Sequence, residues 1–359
     1  MSIKKKGLFY VSNKPKTIST SDIRFFKSCR QRWDFSSVLR QGLQPRRTPN
    51  FFIRGRVWHK ALEKFYSSRG QINIVSAFEK ALVTELKHER EKGTVFEPEV
   101  VEAWLHEGRT VLRMFPFWAQ QQNFSFDNFE ILMQEVRDTQ PLLITDKQQI
   151  IAEFSFKADM VIRDPAGKVW LVDFKTVNQM PHDTSFLDFD EQITGYLTAL
   201  EQRLNEHVTG AIFIYLYTKA PSLPRRLKSG EFSQAKTLFC DAQTYFDTLK
   251  QAKVAMQPYI PFLKTLRARE LNENPWFKKV VVFRSQEQKE ILWLTHQRVA
   301  AEMIDPNVLI YPAPSGINCT RCAYQSVCLI TQMGRDPKTT IRAEFVERTY
   351  LDDDKKGAS

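Results

Sequence analysis

Apolar positions recur at helical spacing through the first third of the chain and at extended spacing after about residue 129. In Ser19 to Phe35 (STSDIRFFKSCRQRWDF), Phe25, Cys29 and Trp33 fall at i, i+4 and i+8. Ser19 and Asp22 have capping-box spacing, so one helix is predicted. A loop bearing proline and arginine, Gln44 to Pro49, separates it from a second helix around Arg54 to Tyr66. Residues 74–122 stay helical in pattern, with Val101, Trp104, Leu105, Val111, Leu112 and Phe115 on the apolar face. Phe129 to Val136, Ile150 to Ile162 and Lys168 to Phe174 then read as strands. Asp164-Pro165-Ala166-Gly167 is a turn between the last two. A helix over roughly 190–205 and a buried strand over Ala211 to Tyr217 complete a mixed α/β core with helices ahead of it and between its strands. Residues 222–300 read as mostly helical, with one unplaced extended stretch at Lys278 to Phe283.

These patterns divide the chain into a basic arm over 1–18, one domain over 19–330 and a charged, mobile tail over 331–359. The domain carries mainly helical insertions at about 67–128 and 222–300. With 359 residues, 42% of them hydrophobic, the chain can bury a sizeable core, which excludes a disordered or fibrous protein. The longest apolar stretch, Gly210 to Tyr217, is far shorter than the roughly 20 residues that a membrane span needs. No signal-peptide apolar region follows Lys4-Lys5-Lys6, so a soluble, unsecreted protein is expected.

Charge changes the picture more than composition does. The chain carries 52 Lys and Arg against 41 Asp and Glu, a net +11. Residues 1–70 hold 17 basic and 3 acidic residues (+14), leaving 35 and 38 (−3) for the remainder. Phe25, Phe26, Trp33, Phe51, Phe52 and Trp58 interleave with this basic end, as stacking on nucleobases would require. A solvated basic face over an ordinary aromatic core fits the same residues.

The hairpin around Asp164 to Gly167 carries candidate chemistry. If Asp164 pairs with Lys168, then Asp159 pairs with Asp173, because paired residue numbers sum to a constant. Two facing carboxylates destabilise a sheet unless a cation sits between them. Lys175, two residues beyond Asp173, projects to the same face and could orient a water or stabilise charge at a phosphate. Hard oxygen donors suit Mg²⁺ or Mn²⁺. A surface hairpin with Asp and Lys on its wet face is the other reading, and a one-residue slip would separate the side chains.

Asp159, then Val169-Trp170-Leu171-Val172-Asp173-Phe174-Lys175-Thr176, then Gln192-Ile193-Thr194-Gly195-Tyr196 resembles the PD-(D/E)xK nuclease superfamily in its RecB-like branch. Trp58-His59-Lys60-Ala61-Leu62-Glu63 resembles the histidine motif of that branch. The resemblance covers roughly 19–66, 129–217 and 312–330. It implies a restriction-endonuclease-like sheet flanked by helices, and a metal held by His59, Asp159 and Asp173, with Lys175 assisting the attacking water. It also implies that Gln192 and Tyr196, sharing a helix face, hold the DNA backbone or orient Lys175, and that Glu135 is the preceding acidic residue. Arg24, Arg30, Arg32, Arg54, Arg56 and Lys60 would join Gln192 and Tyr196 in touching DNA. One departure stands out: the family often has glycine three residues before the first aspartate, and this chain has Phe156.

Five cysteines in a chain of this length make no disulfide scaffold. Cys319, Cys322 and Cys328 form C-x2-C-x5-C, Cys29 lies far upstream, and Cys240 stands alone as a small core residue. Cas4-like and AddB-like members of the superfamily carry a four-cysteine iron–sulfur cluster with one N-terminal and three C-terminal ligands. Cys29, Cys319, Cys322 and Cys328 match that order. The resemblance therefore implies a [4Fe–4S] cluster that staples the two chain ends, with zinc as the competing ion.

The expected function is a metal-dependent DNA nuclease of a reducing, cytoplasmic compartment, acting as an exonuclease on single-stranded DNA or DNA ends. The setting would be recombination, repair or phage DNA processing. No G-x-x-x-x-G-K-[ST] occurs, so unwinding would fall to a helicase or recombination partner. Two alternatives remain: a catalytically inactive iron–sulfur DNA-binding subunit of a larger complex, and a Cas4-like CRISPR adaptation nuclease.

Overall fold

The computed structural model describes residues 14–348. In chain order its elements are β1 (Lys16–Ser19), α1 (Thr20–Ser28), α2 (Arg30–Ser36), β2 (Leu43–Pro45), α3 (Asn50–Ser67), α4 (Ile74–Glu91), α5 (Pro98–Leu112) and α6 (Phe115–Gln121). There follow β3 (Glu130–Ile144), β4 (Ile150–Arg163), β5 (Val169–Val177), α7 (Glu191–Leu204), β6 (Val208–Tyr217), α8 (Ala242–Gln251), α9 (Ile260–Asn272) and β7 (Phe277–Phe283). The chain closes with α10 (Gln286–Ile304), α11 (Gly316–Cys319), α12 (Gln325–Gln332), α13 (Lys338–Glu344) and β8 (Phe345–Glu347).

Six strands form a central mixed sheet in the order β1-β4-β5-β6-β7, with β3 along the other edge of β4. The fold is the mixed α/β sheet flanked by helices that the period changes predict. Helices α3 to α6 cover one face over Trp58, Tyr66, Phe78, Phe115 and Trp118. Helices α1, α2, α7 and α10 cover the other over Phe154, Phe156, Leu197, Phe213 and Trp293. On α3, Ile53, Val57, Ala61, Leu62 and Phe65 are buried at helical spacing, which turns Arg56, Lys60 and Glu63 outward. Trp58 is 2% exposed against the Phe78 ring; truncating so large a core side chain costs about 3–5 kcal/mol.

The shared edge of β4 decides where the site lies. Beside its first half runs β1, parallel, from Ala152 to Ser155; beside its second half runs β5, antiparallel, from Met160 to Arg163. Between them, residues 156–159 have no ladder partner on that edge. The Asp164 turn forms as its sequence requires, with Asp164 N–H donating to Lys168 O at 2.9 Å and Gly167 at φ +79°.

Several expectations are corrected. The single helix over 19–35 breaks at Cys29, whose φ of −164° is extended backbone. Its buried face is therefore Ile23, Phe26 and Trp33 rather than the Phe25-Cys29-Trp33 line. The Ser19–Asp22 capping box is present. Residues 16–18, expected in a loose arm, belong to β1; residues 1–13 and 349–359 lie outside the described residues. The tail expected to be mobile forms α13 and β8 as far as residue 347. Strand β8 pairs with β2, which occupies part of the expected Gln44 loop. The stretch at Lys278 to Phe283 is β7, the antiparallel edge beside β6. The insertion over 222–272 has its own small core around Tyr245, Tyr259 and Phe262.

Candidate active site

The β4–β5 register is the one that the hairpin arithmetic requires: Met160 faces Val172 and Arg163 faces Val169. One step further, Asp159 would face Asp173, and there the ladder stops. Instead of a backbone rung, Asp159 Oδ2 accepts the Phe174 amide at 2.9 Å. On the other side of β4, Gln134 faces Met160 and Val136 faces Ala158, so Glu135 stands across from Asp159. Glu135 makes no rung because its φ is +49°, a left-handed conformation costly for a non-glycine residue inside a strand. Three adjacent strands thus bring Glu135, Asp159 and Asp173 into one row at the fork.

His59 enters from α3, which is tied to β3 where Gln134 Nε2 donates to Glu63 O at 2.7 Å. Its Nδ1 lies 3.3 Å from Asp159 Oδ2, and its ring meets Phe174 edge-on at 6.5 Å. Donor atoms of His59, Glu135 and Asp159 all lie within 4.8 Å of one another. Burial works against a charged His59, but the charges of Asp159, Asp173 and Glu135 outweigh it and raise its pKa. Burial likewise opposes ionisation of Asp159, yet His59 and the Phe174 amide hold its pKa low.

Asp173 behaves in the opposite way. Burial and the neighbouring Asp159 charge push its carboxyl up despite Lys175. Its Oδ2 is 2.7 Å from Lys175 Nζ, an ion pair without hydrogen-bond alignment, and that buried oxygen accepts no hydrogen bond. Lys175 in turn is held protonated chiefly by Asp173, against burial. A buried carboxylate oxygen without a hydrogen bond, beside two further carboxylates and an imidazole, is a hard donor set that a divalent cation fits. His59, Glu135 and Asp159, whose donor atoms converge, are the residues present to hold it; Asp173, expected as a ligand, stands beside that group and pairs with Lys175 instead.

Tyr196, on α7, fills the gap in the shared edge: its phenol is hydrogen-bonded to the backbone of Lys157, and burial raises its pKa. Asp190 caps α7 by accepting Ile193 N–H at 2.9 Å, and Gln192 lies half-buried in the first turn. Phe156, where glycine was the family pattern, is 1% exposed and packs 6.0 Å from the Tyr196 ring, filling the core below the fork. Lys157, 2.5 Å from Glu135 Oε2, belongs to the site and was missed. Its signal was its place as the polar member of an alternating strand.

The basic residues are mostly engaged. Arg54 pairs with Glu107 at 2.6 Å, Arg56 with Glu85 and Glu89, Lys60 with Glu63 at 2.8 Å and Arg30 with Glu302. Arg24 and Arg32 lie over the Phe25 ring at 5.3 and 3.9 Å. Much of the charge asymmetry along the chain is therefore closed in space.

The segment at Ser28 and Cys29 meets the segment from Ala313 to Asn318. Cys29 Sγ accepts the Ala313 amide at 3.4 Å, and Asn318 Nδ2 donates to Ser28 O at 3.1 Å. Burial, then the neighbouring Cys29, Cys322 and Cys319, raise the pKa of Cys328. Among the described residues, no three cysteine sulfurs lie within 4.8 Å of one another. Cys240 is a buried thiol pushed up to about 12 in the core of the insertion.

Sheet and site together define an α/β protein that gathers an acidic, cation-seeking centre at a strand fork. The chain belongs to the PD-(D/E)XK nuclease superfamily, whose family model matches residues 17–329. Membership implies a metal-dependent nuclease that uses Mg²⁺ or Mn²⁺ and acts on DNA. No curated protein matches the chain. A solved structure titled "Crystal structure of SSO0001" is 12% identical, with a TM-score of 0.29 over 77% of this chain and 84% of that one. Among the described residues no helix is long and apolar enough to cross a membrane.

Proposed function

We propose that the protein is a DNA exonuclease acting on single strands or DNA ends, in recombination, repair or phage DNA processing. The observation that carries this reading is the convergence of His59, Glu135 and Asp159 at the β4–β5 fork, with the Asp173–Lys175 pair beside it. When bound there, Mg²⁺ or Mn²⁺ would lower the pKa of water and neutralise a phosphoryl oxygen. The residues supply the rest. His59 is oriented by Asp159, and Lys175 presents an ammonium that stabilises negative charge developing on the phosphate. Tyr196 fixes the edge of β4 that carries Asp159, and Gln192, four residues before it, faces the strand to be cut.

Cys29, Cys319, Cys322 and Cys328 would hold a [4Fe–4S] cluster rather than zinc, in a reducing compartment. Support comes from the contact between Cys29 and Ala313 and the influence of the other three thiols on Cys328. Cleavage of an end-labelled single-stranded oligonucleotide by the anaerobically purified wild type and by Lys175→Ala, with Mg²⁺, Mn²⁺ or EDTA, tests the nuclease. Metal-dependent degradation that is lost in Lys175→Ala supports it. Binding without cutting of single-stranded, duplex and forked DNA would instead point to an inactive DNA-binding subunit.

A further inference from the structure

The sequence offers six aromatic residues at the basic end for stacking, and folding buries three of them. Trp33, Trp58 and Phe26 are at most 3% exposed, whereas Phe51 and Phe52 are 60% and 55% exposed with ring centroids 4.2 Å apart. They stand on the first turn of α3. The next turn of that helix backs onto β5, where a side chain at Gly55 would meet Thr176 Oγ1 at 3.6 Å. Arg54 also reaches Thr218 at 2.9 Å. The start of α3 thus overhangs the end of β5 one residue beyond Lys175.

The opposite face of the sheet has a matching feature. The short 3₁₀ turn Ser185–Phe189 leads directly into Asp190, whose charge reaches Lys175. Its Leu187 is buried, but Phe186 and Phe189 are 55% and 84% exposed. The turn is fixed: Arg284 bonds both Leu187 O and Thr194 Oγ1, and Lys278 Nζ donates to Pro181 O at 3.0 Å. Five phenylalanines among the described residues are more than half exposed, and four of them stand on the two segments that lead to Thr176 and to Asp190. Exposed phenyl rings beside a phosphate-cutting site need a partner with flat apolar faces.

Resting on the nuclease reading above, we infer that Phe51 and Phe52 on one side, and Phe186 and Phe189 on the other, stack the unpaired bases flanking the phosphate being cut. The substrate class is therefore single-stranded DNA: paired bases are stacked on one another and cannot offer their faces to the rings. Stacking of this kind is tolerant of sequence. The ammonium of Lys175 complements the backbone between the two aromatic walls.

The test is equilibrium binding in EDTA, where nothing is cut, of an oligothymidylate and of an equally long strand carrying abasic sites. The proteins are wild type, Phe51→Ala/Phe52→Ala, Phe189→Ala, and Phe189→Tyr, which keeps the ring. Expected is about tenfold weaker binding of the oligothymidylate by each Ala variant, no change toward the abasic strand, and full binding by Phe189→Tyr. Melting temperatures should hold within a few degrees, as the rings are exposed. Ala variants that bind both strands like wild type, while wild type cleaves DNA with metal, would overturn stacking and leave the nuclease standing. A wild type that neither binds nor cuts DNA would overturn both.

Discussion

Asp159 and Asp173 occupy the facing positions at which the β4–β5 ladder ends, and the Asp159 carboxylate takes the Phe174 amide at 2.9 Å in place of the next rung. One side chain therefore has two duties, and two substitutions separate them. Asp159→Asn keeps an acceptor for the Phe174 amide, so it should abolish cleavage with little loss of stability. Asp159→Ala should abolish cleavage and also cost about 1–3 kcal/mol for the amide left unsatisfied. Asp173→Ala should abolish cleavage while leaving DNA binding within a few fold. Urea melts beside the labelled-oligonucleotide assay check all three, and full activity in Asp173→Ala would sink the assignment.

Glu135 holds a backbone φ of +49° that glycine adopts freely. Glu135→Gly and Glu135→Ala should both lose metal-dependent cleavage, but the glycine variant should be about 1 kcal/mol more stable than the alanine one. Paired urea denaturation curves decide it. An alanine variant as stable as the glycine one would mean that the position is not strained.

The four-cysteine reading predicts that Cys29→Ser or Cys322→Ser, purified without oxygen, loses iron, its visible absorbance and several degrees of melting temperature. Cys240→Ala, in the separate core of the insertion, should keep its iron. Wild-type protein that contains zinc and no iron would refute the cluster and favour the tetrathiolate alternative.

His296 lies fully buried against the Phe154 ring at 5.5 Å, with neither ring nitrogen hydrogen-bonded. Burial lowers its pKa from 6.5 to about 4; Glu191 and Lys27, which pair with each other, act on it with opposite sign. The unfolded chain takes up this proton near pH 6.5 and the folded one only near 4. Stability is then complete above 6.5, falls with pH across that window by about 3 kcal/mol, and changes no further below it. His296→Met should flatten the dependence between pH 7 and pH 4.5. An equally steep loss in that variant would place the acid sensitivity elsewhere.

How much of this was legible depends on whether a signal is local. The Asp164 turn, the register that brings Asp159 toward Asp173 and the two-residue step to Lys175 follow from hairpin geometry, so short stretches of chain were enough. The Ser19–Asp22 cap and the helical face of α3 are local in the same way. The break at Cys29 was not legible, because helical spacing continues through it and the groups that bond there, Tyr311 O and the Ala313 amide, lie about 280 residues away.

The sequence by itself determined the mixed α/β class, the β4–β5 hairpin and the pairing of Asp159 with Asp173 upon it, because these rest on periodicity, turn chemistry and pairing parity; Glu135 came only from the family resemblance. Tertiary structure alone decided that β4 shares one edge between β1 and β5, which opens the fork where the carboxylates gather. It also decided that the basic N-terminal residues meet acidic partners from α4, α5 and α10, and which aromatic residues remain in water. Ion pairs and burial depend on residues tens to hundreds of positions apart, and no local pattern encodes which of them will meet.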